Sequence, residues 1–177
     1  MTQARPTNIL YHIICGASPA EDAGDFVRLA RNAGWDVCVI TTPHAAGFIN
    51  LPDLQKLTPH PIRTNYKMPD EPDVLPPANA IVIAPMTFNS LNKWVYGITD
   101  TLATGLLCEY LGLNVPIIAA PNINPALARH PTLHKNIAEL RSWDVRVLLN
   151  PSAPPPTWMA TWNEILDELT AANHDAR

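Results

Sequence analysis

The stretch from Ala80 to Leu102, AIVIAPMTFNSLNKWVYGITDTL, decides how the rest of the chain is understood. It opens with a continuous apolar run, Ala80 to Ala84, rich in β-branched residues and too short for a helix. Such a run predicts a strand buried on both faces of a parallel sheet. Pro85 has no N–H to give, so the ladder is expected to stop there. Thr87, Asn89, Ser90, Asn92 and Lys93 follow, and polarity therefore appears where the strand emerges. In open α/β sheets the ligand crevice lies outside the carboxyl ends of the strands, which makes this loop of hydroxyls, amides and an ammonium a binding site by position. An ordinary strand-to-helix connection with Thr87 or Ser90 as N-cap fits the same residues.

Working outward, the N-terminal side repeats the pattern. Asn8 to Cys15, NILYHIIC, is a second buried-strand candidate, followed by Gly16-Ala17-Ser18 and a helix with Phe26, Leu29, Ala30 and Ala33 on one face, closed by Gly34. A strand, a small-residue turn and a helix start favour an anion, because unpaired N–H groups and the positive end of the helix dipole face the turn. Glu21 and Asp22 close by argue mildly against it. Neither a G-x-G-x-x-G fingerprint nor a G-K-[ST] P-loop is present. Asp36 to Thr42 is another strand, leading into Pro43-His44-Ala45-Ala46-Gly47-Phe48. His44 is either a partly exposed polar residue at a helix start or a catalytic imidazole. Residues 50–58 continue as a short helix. From Pro59 to Pro77 the prolines at 59, 61, 69, 72, 76 and 77 predict an irregular segment with at most a short strand near Ile62 to Tyr66.

On the C-terminal side, Gly97 to Gly112 is expected to be a helix with Gly112 as its C-cap. Val115 to Ala120, VPIIAA, is a buried strand, and Pro121-Asn122-Ile123-Asn124-Pro125 follows it. Alone, that segment is a Pro/Asn turn. An Asn amide at a strand end can also both donate to and accept from a ligand. His130 to Trp143 is helical. His130 and His134 are spaced as metal ligands but lack a third partner, so no metal site is expected. Val145 to Leu149 is a last strand, Pro-rich residues 150–157 a linker, and Trp158 to Ala172 a final amphipathic helix. About six strand candidates alternating with helices, most of them continuous apolar runs, predict a single-domain α/β fold over residues 1–177, a parallel sheet covered by helices on both faces.

Against this background the motifs resemble those of a known family. Pro85-Met86-Thr87-Phe88-Asn89-Ser90, with Lys93, Gly97 and Asp100-Thr101-Leu102 at matching spacing, resembles the PASANT segment and its K…G…D-N-L continuation in homo-oligomeric flavin-containing cysteine decarboxylases. That family includes phosphopantothenoylcysteine decarboxylase and lantibiotic peptidyl-cysteine decarboxylases, with flavin prenyltransferases as relatives. Thr42, Ala45 and Phe48 resemble its T-x-x-A-x-x-F segment. Pro121 to Ala128 resembles its P-x-M-N-x-x-M-W substrate motif, with Asn124 on the Asn and Ala128 on the Trp.

The resemblance spans about residues 7–149 and implies a Rossmann-like (flavodoxin-like) doubly wound flavoprotein with non-covalent FMN. The cofactor contacts it implies are Gly16, Ala17, Ser18, Thr42, Phe48, Pro85, Met86, Thr87, Asn89, Ser90 and Lys93. It also implies Asn124 on a substrate carboxylate, a homotrimer or dodecamer, and oxidation of a cysteinyl thiol followed by loss of CO2. The family's catalytic His falls by spacing on Glu71, and no His lies between His60 and His130; His44 and His60 are the alternatives. No cysteine follows Cys108, so the family's cysteine-bearing C-terminal clasp is not expected. Flavin binding without catalysis, for carriage or regulation, is therefore a second expectation. A prenyltransferase-like use of FMN is a third, though no basic cluster for a prenyl phosphate accompanies it.

Composition narrows the classes further. A formal charge of −4 with 16% charged residues gives no footprint for nucleic acid. Cys15, Cys38 and Cys108 are odd in number and set among apolar residues, which predicts reduced core thiols and a cytoplasmic protein. No apolar run reaches membrane-spanning length and MTQARPTN has no signal-like core, so neither secretion by that route nor a membrane anchor is expected.

Overall fold

The structure, a computed structural model, describes residues 8–72, 74–150 and 159–175. Five strands, β1 (Asn8–Ile14), β2 (Trp35–Thr41), β3 (Ala80–Met86), β4 (Ile117–Pro121) and β5 (Arg146–Val147), form one all-parallel sheet in the order β2-β1-β3-β4-β5. Each parallel pair needs a crossover, and the intervening helices supply it. On one face lie α3 (Phe88–Val95), α4 (Leu102–Gly112) and α6 (Thr132–Ser142), over Tyr11, Ile13, Ile40, Ile81 and Ile83. The other face carries α1 (Ala23–Asn32) and α7 (Trp162–Asp175), over Leu10, Ile14, Val37, Val39 and Val82. Successive side chains of a strand point to opposite faces, and both faces are covered by helices, so β1, β2 and β3 are apolar at most positions, with His12 and Thr41 the buried polar residues among them. Two short helices, α2 (Leu51–Gln55) and α5 (Pro125–Ala128), and two 3-10 turns, Ser18–Asp22 and Pro43–Gly47, complete the regular structure of the described residues.

Several local expectations are revised. Pro85 does not end β3: the strand runs on to Met86 across a register break between Ile83 and Met86. The register break falls where Pro85 has no N–H to give, while the Pro85 carbonyl accepts from Cys15 N at 3.1 Å and the Met86 carbonyl from Asn122 N at 2.9 Å. The helix expected from Gly97 begins only at Leu102. Gly97 takes φ +66 after α3, and Thr101 with Thr104 forms a capping box that starts α4. Gly112 is the last helical residue of α4, and Asn114 adopts the left-handed φ of 57 beyond it, as a short polar side chain permits. The strand expected near Ile62 to Tyr66 is reduced to an isolated bridge between Ile40 and Arg63. Expectations for 151–157 and for Trp158 fall outside the described residues, while Trp162, Ile165 and Leu169 pack on the sheet as the apolar stripe requires.

Candidate functional site

The sheet order reverses between β1 and β3, and at such a switch point the connections leave the sheet on opposite sides and open a crevice above the strand ends. A cavity of about 600 Å³ lies there. Four chain segments line it, each continuing from the carboxyl end of a strand: Gly16 to Ser18, Thr42 to His44, Thr87 to Lys93 and Asn122 to Leu127. Thr101 and Thr104, at the start of α4, close it from a fifth direction.

Each segment is shaped by a local cause. After β1, the chain passes under His44 so closely that a Cβ on Gly16 would lie 2.8 Å from His44 Cδ2 and 3.2 Å from the His44 backbone. Any side chain here would force His44 to shift. Ala17 N–H donates to Cys15 O at 2.9 Å, and exposed Ser18 begins a short 3-10 turn. Glu21 and Asp22 are exposed and line a separate cleft with Asp25 and Arg28. After β2, Thr42 N–H donates to Ile14 O at 2.9 Å, and Thr42 precedes a 3-10 turn carrying the exposed His44. The His44 ring lies 5.9 Å from that of Phe48.

After β3, Thr87 caps α3: its Oγ1 accepts from Ser90 N at 3.3 Å and its hydroxyl donates to Ser90 Oγ at 3.1 Å. The cap and the crevice wall are thus the same residues, and both readings of this loop hold at once. Beneath it the buried Cys15 thiol donates to Ser90 Oγ at 3.3 Å. Burial raises the Cys15 pKa, with hydrogen bonds to Ser90 and Thr87 working the other way, so it is an inert thiol at neutral pH. Lys93 lines the crevice but is held to Asp100 at 2.6 Å. After β4, Asn124 caps α5, its Oδ1 accepting from Leu127 N at 2.9 Å. Asn122 also lines the crevice, and its Nδ2 is buried without any hydrogen-bond partner.

Of the residues named from sequence, Gly16, Ala17, Ser18, Thr42, Thr87, Asn89, Ser90, Lys93, His44 and Asn124 come together around this cavity. Pro85 and Met86 are buried in β3 beneath it, and Phe48 stands behind His44. Glu71 is elsewhere: its carboxylate accepts from Met68 N at 2.8 Å and it lines a different cleft with Arg63 and Val74. His60 is also remote, paired at 3.0 Å with Asp36 near the amino end of β2, the end of the sheet away from the crevice. Sequence reasoning missed Thr101, Thr104 and Asn122 as lining residues. The T-x-x-T spacing ahead of an apolar run signals the first two; only the tertiary structure shows the orientation of the third.

Parallel order 2-1-3-4-5 with a donor-lined crevice at its switch point defines a flavodoxin-like α/β protein. The chain belongs to the Flavoprotein family, whose model matches residues 2–174. It is 29% identical over 136 residues to a probable phosphopantothenoylcysteine decarboxylase of Streptococcus mutans, covering 73% of this chain and 75% of that one. With the coenzyme A biosynthesis bifunctional protein CoaBC of Bacillus subtilis it shares 32% over 114 residues, 61% of this chain but only 27% of that larger protein. The crystal structure of the FMN-dependent cysteine decarboxylase SpaF has the same fold, with a TM-score of 0.78 at 22% identity over 96% of this chain and 97% of that one. Among the described residues no helix is long and apolar enough to cross a membrane.

Proposed function

We propose that the chain binds FMN non-covalently in this crevice and acts at the flavin on a small-molecule or peptide substrate, without the imidazole base of the cysteine decarboxylases it resembles. The observation that carries the reading is the meeting of four strand-end segments around one cavity that presents hydroxyls, amides and the N-terminal ends of α3 and α4. The fit to FMN rests on the close approach at Gly16, on the unpartnered Asn122 Nδ2, and on a volume ordinary for a cofactor pocket.

In this reading Gly16, Ala17, Ser18 and Thr42 receive the phosphate, and Thr87, Asn89 and Ser90 line the remainder. Bound FMN would supply a two-electron acceptor for a substrate thiol. Asn124 Oδ1 is committed to its own helix, which leaves Nδ2 to donate to a substrate carboxylate. Lys93 is neutralised by Asp100, so its part is to hold the start of α4 against α3 more than to bind an anion. His44 is the imidazole on the crevice wall and the candidate proton carrier. Its exposure and the remoteness of Glu71 favour, as the second reading, flavin binding without decarboxylation. A cytoplasmic homotrimer or dodecamer completes the proposal.

The test is titration of the purified protein with FMN, followed by a CO2-release assay on phosphopantothenoylcysteine. Flavin absorption on the protein with no CO2 release is the expected outcome. A protein that neither carries flavin nor quenches FMN fluorescence refutes the binding. CO2 release abolished by Asn124→Ala refutes the absence of decarboxylation, and further loss in His44→Ala identifies the base.

A further inference from the structure

In the wall of the crevice one buried donor has no acceptor among the described residues, and the bonds around a second leave its proton unassigned. The first is Asn122 Nδ2, buried and unpartnered on the continuation of β4, with its backbone fixed by the bond from Asn122 N to Met86 O. The second follows from counting around Ser90, which is 5% exposed. Its hydroxyl oxygen accepts from both Cys15 Sγ and Thr87 Oγ1, which occupies both lone pairs and leaves the Ser90 proton to point elsewhere. Ser90 and Asn122 line the same cavity. A buried donor without an acceptor is costly in the empty fold, and the cost is recovered when a ligand brings the acceptor.

We propose that Asn122 and Ser90 form a donor pair that holds the acceptor edge of the flavin ring, its carbonyl oxygens and bare ring nitrogens, and that Asn122 is thereby a specificity-determining residue of this site. The inference rests on the flavin reading above and adds which end of the ligand lies where. The phosphate turn follows β1, whereas Asn122 follows β4, two strands away, or about 10 Å at ordinary strand spacing. That separation suits the ribityl chain between phosphate and ring. The Cys15 thiol, donating to Ser90 Oγ, fills one of its two lone pairs. An acceptor edge is what such a floor selects, since an occupant offering a donor there would leave three unmatched protons facing one another.

The experiment uses the full chain freed of flavin and titrated with FMN, in the unaltered protein and in Asn122→Ala and Asn122→Asp. Because Asn122 Nδ2 bonds to nothing in the protein, Asn122→Ala is expected to melt no lower than the unaltered chain without flavin. Its FMN affinity is expected to fall about tenfold, as loss of a buried hydrogen bond implies, with a displacement of the visible flavin bands. Asn122→Asp, which replaces the donor by an anion, is expected to lose more. Unchanged affinity in Asn122→Ala overturns the proposal. So does a loss of affinity matched by an equal loss of flavin-free stability, which marks a structural role, and so does weaker binding with unmoved bands, which places the contact at the phosphate. Failure of the unaltered chain to bind FMN refutes the flavin reading itself and is told apart from these outcomes at the first titration.

Discussion

Acid should unfold this protein through one imidazole. His12 sits at the middle of β1, 0% exposed, facing the layer of α1 and α7. Its Nε2 lies 2.9 Å from the Ala84 carbonyl, which can only accept, so Nε2 carries the proton and Nδ1 is bare. Nδ1 is buried and has no partner, and the rings of Phe26 and Trp162 stand 4.8 and 6.0 Å from the imidazole. Burial lowers the pKa from 6.5 to about 4, with the Ala84 hydrogen bond opposing. The folded pKa is depressed, so between those values the unfolded chain binds more protons than the folded one. The associated stability is fully present above 6.5, declines as pH falls, and is gone below about 4. At about 1.4 kcal/mol per pH unit the loss reaches about 3 kcal/mol. That is a large part of the stability of an ordinary domain.

The assay is urea unfolding of the flavin-free protein between about pH 7.5 and about pH 4.5, in the unaltered chain and in His12→Gln, which keeps a donor for Ala84 but cannot titrate. The carboxylates of Asp53 and Glu164, held low by Lys56 and by Thr161 respectively, titrate in both proteins and cancel in the difference. The stability advantage of the unaltered chain should shrink by about 2 to 3 kcal/mol across this range. Equal pH slopes in the two proteins would refute the reasoning.

Gly16→Ala places a methyl group against the His44 backbone at 3.2 Å, where a flexible side chain cannot simply swing aside. FMN affinity should drop at least tenfold with a stability loss of about 1 to 3 kcal/mol, measured by fluorescence titration and thermal melting; unchanged affinity rules out Gly16 as part of the phosphate turn. Self-association is the other expectation, because Tyr66, Tyr96, Ile98 and Leu113 leave large apolar surface exposed. Sedimentation at micromolar concentration should give a trimer or a multiple of it, and a clean FMN-bound monomer refutes this.

The layered fold was legible in the sequence because its signals are local. A strand covered on both faces is apolar at most positions, and the runs Ile9 to Cys15, broken only by His12, Val37 to Ile40 and Ala80 to Ala84 declare themselves for that reason. A helix packed on one side shows its stripe, as Phe26, Val27 and Ala30 do on α1 and Ile165 and Leu169 on α7. The place of the site was legible too, since polar residues after each apolar run mark where strands leave the sheet. Turn and cap details at Gly97, Gly112 and Asn114 were less so, because glycine, asparagine and a nearby capping box compete for the same helix end within a few residues.

Only the tertiary structure decided which strand ends share a crevice. The order β2-β1-β3-β4-β5 is a set of long-range pairings, and no local pattern fixes them. It brings Gly16, Thr42, Thr87 and Asn124 to one cavity, and leaves Glu71 on another surface although spacing along the chain had placed it at the site. A residue's distance in sequence from a motif sets its reach only when the chain between is regular, and the proline-rich segment from Pro59 to Pro77 is not. Nor does sequence say where a polar atom points. That Asn122 buries its amide nitrogen unpartnered at the crevice wall, while Asn124 spends its oxygen on its own helix, follows from packing around each side chain.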